Sequence, residues 1–223
     1  MSYKLKSKWL SSAKYPLKSP YAMRPAGIVV HNTAGDASAT EEAAAMVGNS
    51  SAVSFHVVID EETAVECIPF SRNAFHAGDG AQGFANRNLI GIEIARSAEE
   101  SGDRFRRAEE NAALYIAHVC VQYGWTSAQL HQHNWYSATE CPHRTKAHWS
   151  DFLAKVDENI SAIKAAGEDH PAPSVPQVTL IALGKALDIP AENRNGTVYA
   201  PVRALCEALG FDVEWKDGEV MIA

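Results

Sequence analysis

At 223 residues, 46% of them apolar and 21% charged, the chain has the composition of a globular protein able to bury a real core in one domain or a domain with a small appendage. Disordered, collagen-like and coiled-coil classes are excluded, and a net charge of −7 argues against a nucleic-acid partner, which wants a basic face. No apolar run reaches the roughly 18 residues of a membrane span, so no membrane partner is expected.

The charge is uneven. Residues 1–167 hold eighteen acids and sixteen bases, and residues 168–223 hold nine acids and four bases, a shift that points to two modules. The first 24 residues carry Lys4, Lys6, Lys8, Lys14, Lys18 and Arg24 and no acid. No apolar run of the kind that forms the core of a signal peptide follows them, so no secretory signal is read there and synthesis in the cytoplasm is expected. Cys67, Cys120, Cys141 and Cys206 form neither a CxxC pair nor a dense framework, which fits reduced thiols.

Gly27-Ile-Val-Val30 reads as a buried strand ending on His31, the strand end at which α/β sheets place their ligands. Ser38-Ala-Thr-Glu41 has capping-box spacing, and the Ala-rich run to Val47, closed by Gly48, predicts a short helix. Val53 to Ile59 and Val65 to Ile68, joined by Asp60-Glu61-Glu62, predict a hairpin. The Gly, Asn and Asp content of Phe70 to Asn88, around His76, predicts a loop. Leu89 to Ile94 is an apolar strand carrying one carboxylate, Glu93, which needs a reason because burying an unpartnered charge is expensive.

Apolar residues recur at three and four from Asp103 to Tyr123, with Gly124 as stop, and again from Ser150 to Ala166, with Gly167 as stop. Both predict amphipathic helices. Between them, His131 to Arg144 packs three His, one Cys and a Pro into fourteen residues. Residues 168–177 are a proline-rich linker between modules. Beyond it, short strands are expected at Val178–Ile181 and Lys185–Ile189, around Thr197-Val198-Tyr199, and near Val213–Trp215 and Val220–Ile222, with a helix from Val202 to Leu209. This is a small α+β module of 178–223.

His133 and Cys141, an imidazole and a thiol eight positions apart, suit a metal that accepts nitrogen and sulfur, with His131 as the alternative imidazole. Two ligands do not make a site, and strand-end His31 is the candidate third. Three protein ligands leave a fourth position open, which is the catalytic arrangement of zinc rather than the structural one, and Glu93 then has a task as the proton acceptor beside it. Taken singly, His31 has the ordinary explanation of a packing histidine and Cys141 that of a core thiol.

Several blocks in order, Ile28-Val-Val-His-Asn-Thr-Ala-Gly35, Ser54-Phe-His-Val-Val58, Phe75-His-Ala-Gly-Asp-Gly80, Asn86-Arg87, Ile90-Gly-Ile-Glu-Ile94 and His133 to Cys141-Pro-His-Arg144, resemble the zinc-dependent N-acetylmuramoyl-L-alanine amidases of the type-2 amidase family, most closely the catalytic domains of phage and prophage endolysins. The resemblance covers about residues 20–165. It implies a central mixed β-sheet flanked by helices, a fold shared with peptidoglycan-recognition proteins. It also implies one Zn2+ per chain on His31, His133 and Cys141, with Glu93 as the catalytic glutamate. Where many endolysin amidases carry Lys two positions before the Cys, this chain has Thr139, as catalytically active recognition proteins do; the hydroxyl is expected to donate to the oxyanion without the charge. Where some relatives carry Tyr before the second-strand His, this chain has Phe55. His76, Phe55 and His56 are the expected substrate-binding residues of a catalytic domain spanning 1–167.

Tyr199-Ala-Pro-Val-Arg-Ala-Leu-Cys-Glu-Ala-Leu-Gly210 with Trp215 resembles the small module at the N-terminus of copper amine oxidases, without a copper ligand set. Wall binding or self-association is expected of it. The implied activity is hydrolysis of the amide between N-acetylmuramic acid and L-alanine in bacterial peptidoglycan, on the cell wall, after release from the host cytoplasm. The alternative is a non-catalytic peptidoglycan-binding module of the recognition-protein type, against which Cys141 and Glu93 speak.

Overall fold

The computed structural model describes residues 3–166 and, beyond them, 180–182, 185–187, 192–194, 197–199, 206, 213–216 and 219–222. The chain divides into two compact units, Met1–His170 and Pro171–Ala223. The expected linker at 168–177 lies outside the described residues, as does the expected helix of 202–209 apart from the helical residue Cys206.

The first unit is built on a six-stranded mixed sheet in the order β1-β4-β3-β5-β2-β6. Its strands are β1 (Lys4–Ser7), β2 (Gly27–Asn32), β3 (Val57–Ile59), β4 (Thr63–Glu66), β5 (Leu89–Ile94) and β6 (Leu130–Gln132). Only β3 and β4 run antiparallel, as the expected hairpin; β3, β5, β2 and β6 are parallel neighbours. The helices are α1 (Tyr15–Lys18), α2 (Ala39–Gly48), α3 (Phe84–Asn88), α4 (Asp103–Tyr123) and α5 (Trp149–Ala166). Ser38 caps α2 with both bonds of the capping box, and Gly124, at φ 69°, closes α4 in the left-handed conformation that costs glycine least.

Strand alternation sorts the two faces. Ile28 and Val30 of β2, Val57 and Ile59 of β3, and Ile90, Ile92 and Ile94 of β5 join one core with Phe105, Ala112 and Ile116 of α4 and Phe152, Val156 and Ile160 of α5. The opposite face carries Val58 and Val65 packed with Ala39, Ala43 and Met46 of α2, and Val29 and Leu89 packed with Ala77 and Ala85. Three buried isoleucines at roughly 1.5–3 kcal/mol each hold the register of β5, because a one-residue slip would turn them all away from α4 and α5. That register sends Glu93 to the face of Val29 and α2, where His31 also lies. Among the described residues no helix is long and apolar enough to cross a membrane.

Two expectations shift. Val53 to His56 is not strand: the Ser54 hydroxyl bonds the Lys18 carbonyl and the Phe75 amide, and Val53 is exposed, so this stretch departs from the sheet. The stretch 70–88 is not all loop, because Asp79 accepts from the amides of Ala85 and Asn86 and so caps α3. Within the second unit the described strands form three antiparallel pairs, β7 (Leu180–Ala182) with β8 (Lys185–Leu187), β9 (Glu192–Arg194) with β10 (Thr197–Tyr199), and β11 (Val213–Lys216) with β12 (Glu219–Ile222).

Candidate metal centre

The parallel strands β6, β2 and β5 end together, and their register sets out the site. His31 is the direct partner of Glu93, so the two side chains leave the same face side by side. On the other flank Val30 pairs with Gln132, and the chain turns into a 3-10 turn at His133 beside His31. Three side chains separated by up to 102 residues thus meet at one rim.

The donor atoms converge on His31. Its Nδ1 lies 3.0 Å from His133 Nδ1, 3.8 Å from Cys141 Sγ and 4.0 Å from Glu93 Oε1. His31, His133 and Cys141 each offer one ligand atom within 4.8 Å of one another, a group that could hold a metal ion. His31 is nearly sealed, whereas His133, Cys141 and Glu93 are partly exposed, so the cluster opens to solvent on one side.

Asn32, directly after His31, ties the cysteine loop to β2. Its backbone N–H donates to Cys141 Sγ at 3.3 Å, its Oδ1 accepts from the amides of Arg144 and Thr145, and its Nδ2 donates to Thr145 Oγ1. The loop also closes on itself, with Asn134 N donating to the Cys141 carbonyl at 2.9 Å. His133 is held from behind by a hydrogen bond to the Ala77 backbone. At Gly78, φ is 71° and an added Cβ would come within 3.0 Å of Ser137, so this close approach beside His133 requires glycine.

Burial dominates the electrostatics. It pushes the His31 imidazole well below its usual range, helped by His76 and His133, and lowers His133 also. It pushes the Glu93 carboxyl up to about 8, with Glu42 adding, and the Cys141 thiol up to about 12 despite the Asn32 amide. The rim therefore presents neutral imidazoles, a thiol and a protonated carboxyl near neutral pH until something positive binds. Neutral imidazole and a displaceable thiol proton are what metal ligation needs.

The other expected site residues fall elsewhere. His131 is directed to the Tyr136 hydroxyl at 2.8 Å, not to the cluster. Thr139 is half-buried on the cysteine loop, its Oγ1 accepting from Cys141 N at 3.4 Å. Phe55, His56 and His76, expected to touch substrate, are buried instead. Phe55 packs with Ala43, Met46 and Val58; His56 is fully buried, with Nδ1 accepting from Gly91 N at 2.8 Å and Nε2 on the Arg72 carbonyl at 2.9 Å. His76 has its ring nitrogens on His31 and on the Leu89 carbonyl, so neither is left for a ligand from solvent. The residues not anticipated are Asn32 and Asn86, whose Oδ1 accepts from the amides of His76 and Ala77. An amide side chain beside a strand-end His was the available signal for Asn32.

Residues 21–144 match the sequence profile of a family described as N-acetylmuramoyl-L-alanine amidase. Among curated proteins, the chain is 38% identical over 172 residues to the N-acetylmuramoyl-L-alanine amidase XlyB of Bacillus subtilis (strain 168), covering 74% of this chain and 54% of that protein. It is 41% identical over 132 residues to the N-acetylmuramoyl-L-alanine amidase CwlA of a Bacillus species, covering 59% and 52%. The chain thus spans little more than half the length of these relatives. Among solved structures, that of PlyL aligns with a TM-score of 0.66 at 38% identity, covering 71% of this chain and 99% of that one. The catalytic domain of XlyA aligns with a TM-score of 0.62 at 30% identity, covering 69% and 99%.

Proposed function

The chain belongs to the N-acetylmuramoyl-L-alanine amidase family, and from that membership we propose that it is a zinc-dependent hydrolase of bacterial peptidoglycan, acting as a phage or prophage endolysin on the bond between N-acetylmuramic acid and L-alanine. The observation that carries this reading is the convergence of His31, His133 and Cys141, with Glu93 4.0 Å from the His31 nitrogen they share. The donor set fits zinc: ligand distances of about 2.0–2.1 Å for nitrogen and 2.3 Å for sulfur give tetrahedral edges of about 3.3–3.6 Å. The two separations from His31 are 3.0 and 3.8 Å, and all three donors lie within 4.8 Å of one another.

Zinc held by these three residues supplies a Lewis acid for the lactyl carbonyl and acidifies water. Glu93 takes a proton from the attacking water as the C–O bond forms and gives it to the L-alanine nitrogen as the C–N bond breaks. Burial holds this carboxyl protonated in the metal-free site, and a cation on the neighbouring ligands would favour the carboxylate, the form that takes the proton. Thr139 receives the Cys141 amide on a lone pair, which keeps its hydroxyl proton for an oxyanion on the substrate. His56 and His76 take no part in the bond changes; they hold the strands and the ligand. For 178–223 we propose wall binding or self-association, on the resemblance of 199–215 to the module of copper amine oxidases.

Mass analysis of digested peptidoglycan tests the reaction. New free L-alanine amino termini are the expected product, and intact stem-peptide linkages or cut glycan bonds would overturn it. Zinc content tests the ligands. His133→Ala is expected to lose the zinc that the wild type retains through dialysis, and His131→Ala to keep it; the reverse pattern would exchange their roles.

A further inference from the structure

We propose that His76 is a positioning residue of the metal centre, through a hydrogen-bonded relay from the Leu89 carbonyl to His76 to His31 that fixes which nitrogen of His31 is offered to the metal. The proposal rests on the zinc reading of the site and adds to it a residue that touches neither metal nor substrate.

The relay follows from obligate donors and acceptors. His76 Nε2 lies 3.1 Å from the Leu89 carbonyl, which can only accept, so Nε2 carries the proton. A neutral ring then has a bare Nδ1, and this atom lies 3.0 Å from His31 Nε2. His31 Nε2 must therefore be the donor, and His31 Nδ1, on the metal side, is left with a lone pair. That lone pair faces His133 Nδ1 at 3.0 Å, and His133 also hydrogen-bonds the Ala77 backbone. In the metal-free protein the His133 ring can donate a proton to that lone pair, and a metal ion bound there would take the proton's place.

The surroundings hold His76 in that role. Its ring lies against the backbone of Gly91, where an added Cβ would come within 2.6 Å of His76 Cγ. His56 accepts from Gly91 N and so fixes that backbone, by the same logic with Nδ1 bare and Nε2–H donated to Arg72. The His76 amide is fixed by Asn86. Ligating imidazoles are oriented by whatever receives their second N–H, and here the receiver is a neutral imidazole rather than a carboxylate, so the orientation adds no negative charge to the site.

The test combines ring-nitrogen NMR of the metal-free wild type with zinc affinity, measured by chelator competition, for wild type, His76→Ala and His76→Gln. The spectra are expected to show His31 and His76 protonated on Nε2 alone. His76→Ala is expected to keep one zinc per chain at saturation but to bind it about 10- to 100-fold more weakly. A Gln amide can accept from His31 and donate to Leu89, so His76→Gln is expected to restore most of that loss, which a merely space-filling role would not predict. Protonation of His31 on Nδ1, or a folded His76→Ala protein with wild-type affinity, would overturn the relay. A wild type that takes up no zinc would instead remove the zinc reading, and the same metal-free spectra would still decide the relay, also if His76→Ala fails to fold.

Discussion

Glu93→Gln is expected to lower peptidoglycan hydrolysis by about 10²- to 10⁴-fold while making the metal-free protein more stable at neutral pH. Both effects come from one placement. The carboxyl sits on a strand that has no other polar side chain, is itself 16% exposed, and burial raises it to about 8 in the folded chain. Unfolded, it ionises near its usual value of 4.5. Between those values the unfolded chain binds fewer protons than the folded one, so this group's contribution is complete below 4.5 and is lost as pH rises toward 8. At 1.36 kcal/mol per pH unit, and allowing for partial solvation, the loss by pH 7 is roughly 2 kcal/mol. Gln is neutral throughout. Thermal unfolding in chelator should show the variant melting higher than wild type at pH 7 to 8, by roughly 2–4 °C per kcal/mol, with the gap closing near pH 4.5. The variant should still take up one zinc per chain. Undiminished turnover would remove Glu93 from the chemistry, and a lower melting temperature at pH 8 would show that its ionised form is compensated in the fold.

The strain at Glu93 is the residue of a sheet whose two faces have different tasks. The face with Ile90, Ile92 and Ile94 holds the register against α4 and α5, and the opposite face uses that rigidity to align His31 with Glu93 and, one strand over, His133. Preorganisation of this kind keeps reacting groups in place without reorganisation during the reaction.

How far this was legible in the sequence depends on the range of the interactions. Gly27-Ile-Val-Val30, the Ser38 capping box, Leu89 to Ile94 and the two long helices carry local signals, and their observed spans differ by a residue or two. Strand β1, Lys4-Leu-Lys-Ser, has no apolar face to announce it and forms by adding to β4 as an exposed edge. Strand β6 is three residues long inside the histidine-rich stretch, and it exists because β2 offers a free edge. The lysines of the basic lead-in have a use that composition could not reveal. Lys14 Nζ bonds the carbonyls of Val47, Gly48 and Asn49 at the C-terminus of α2, and fully buried Lys18 bonds Asn49, Ser51 and Val53. Cations at a helix C-terminus satisfy its orphaned carbonyls and oppose its dipole.

In the site, the residues that could ligate a metal were readable because His and Cys chemistry is specific. The roles of His56 and His76 were not, because each depends on a backbone group distant in sequence, Gly91 N and Arg72 O for one, Leu89 O for the other. The one local hint was Gly91 itself, since a lone glycine inside an apolar strand marks a close approach by something else.

Gly91→Ala turns that hint into the second large effect. In a strand, Gly to Ala ordinarily gains about 0.5–1 kcal/mol from reduced backbone freedom. At position 91 the added Cβ would lie 2.6 Å from His76 Cγ and 2.9 Å from its Nδ1. The ring cannot swing aside without breaking its bonds to His31 and Leu89, and the strand cannot shift without breaking the Gly91 amide bond to His56. Overpacking costs about 1–3 kcal/mol, so the clash outweighs the entropic gain and a net loss near 1–2 kcal/mol is expected. Zinc affinity should fall with it, because the displaced ring is the one that orients His31. Gly48→Ala is the matched control: it lies in α2 with nothing within 4 Å of an added Cβ, and should be neutral or slightly stabilising with zinc affinity unchanged. Melting curves and chelator competition on the pair separate the effects, and a Gly91→Ala protein indistinguishable from Gly48→Ala in both would mean that His76 is free to move and does not position the ligand.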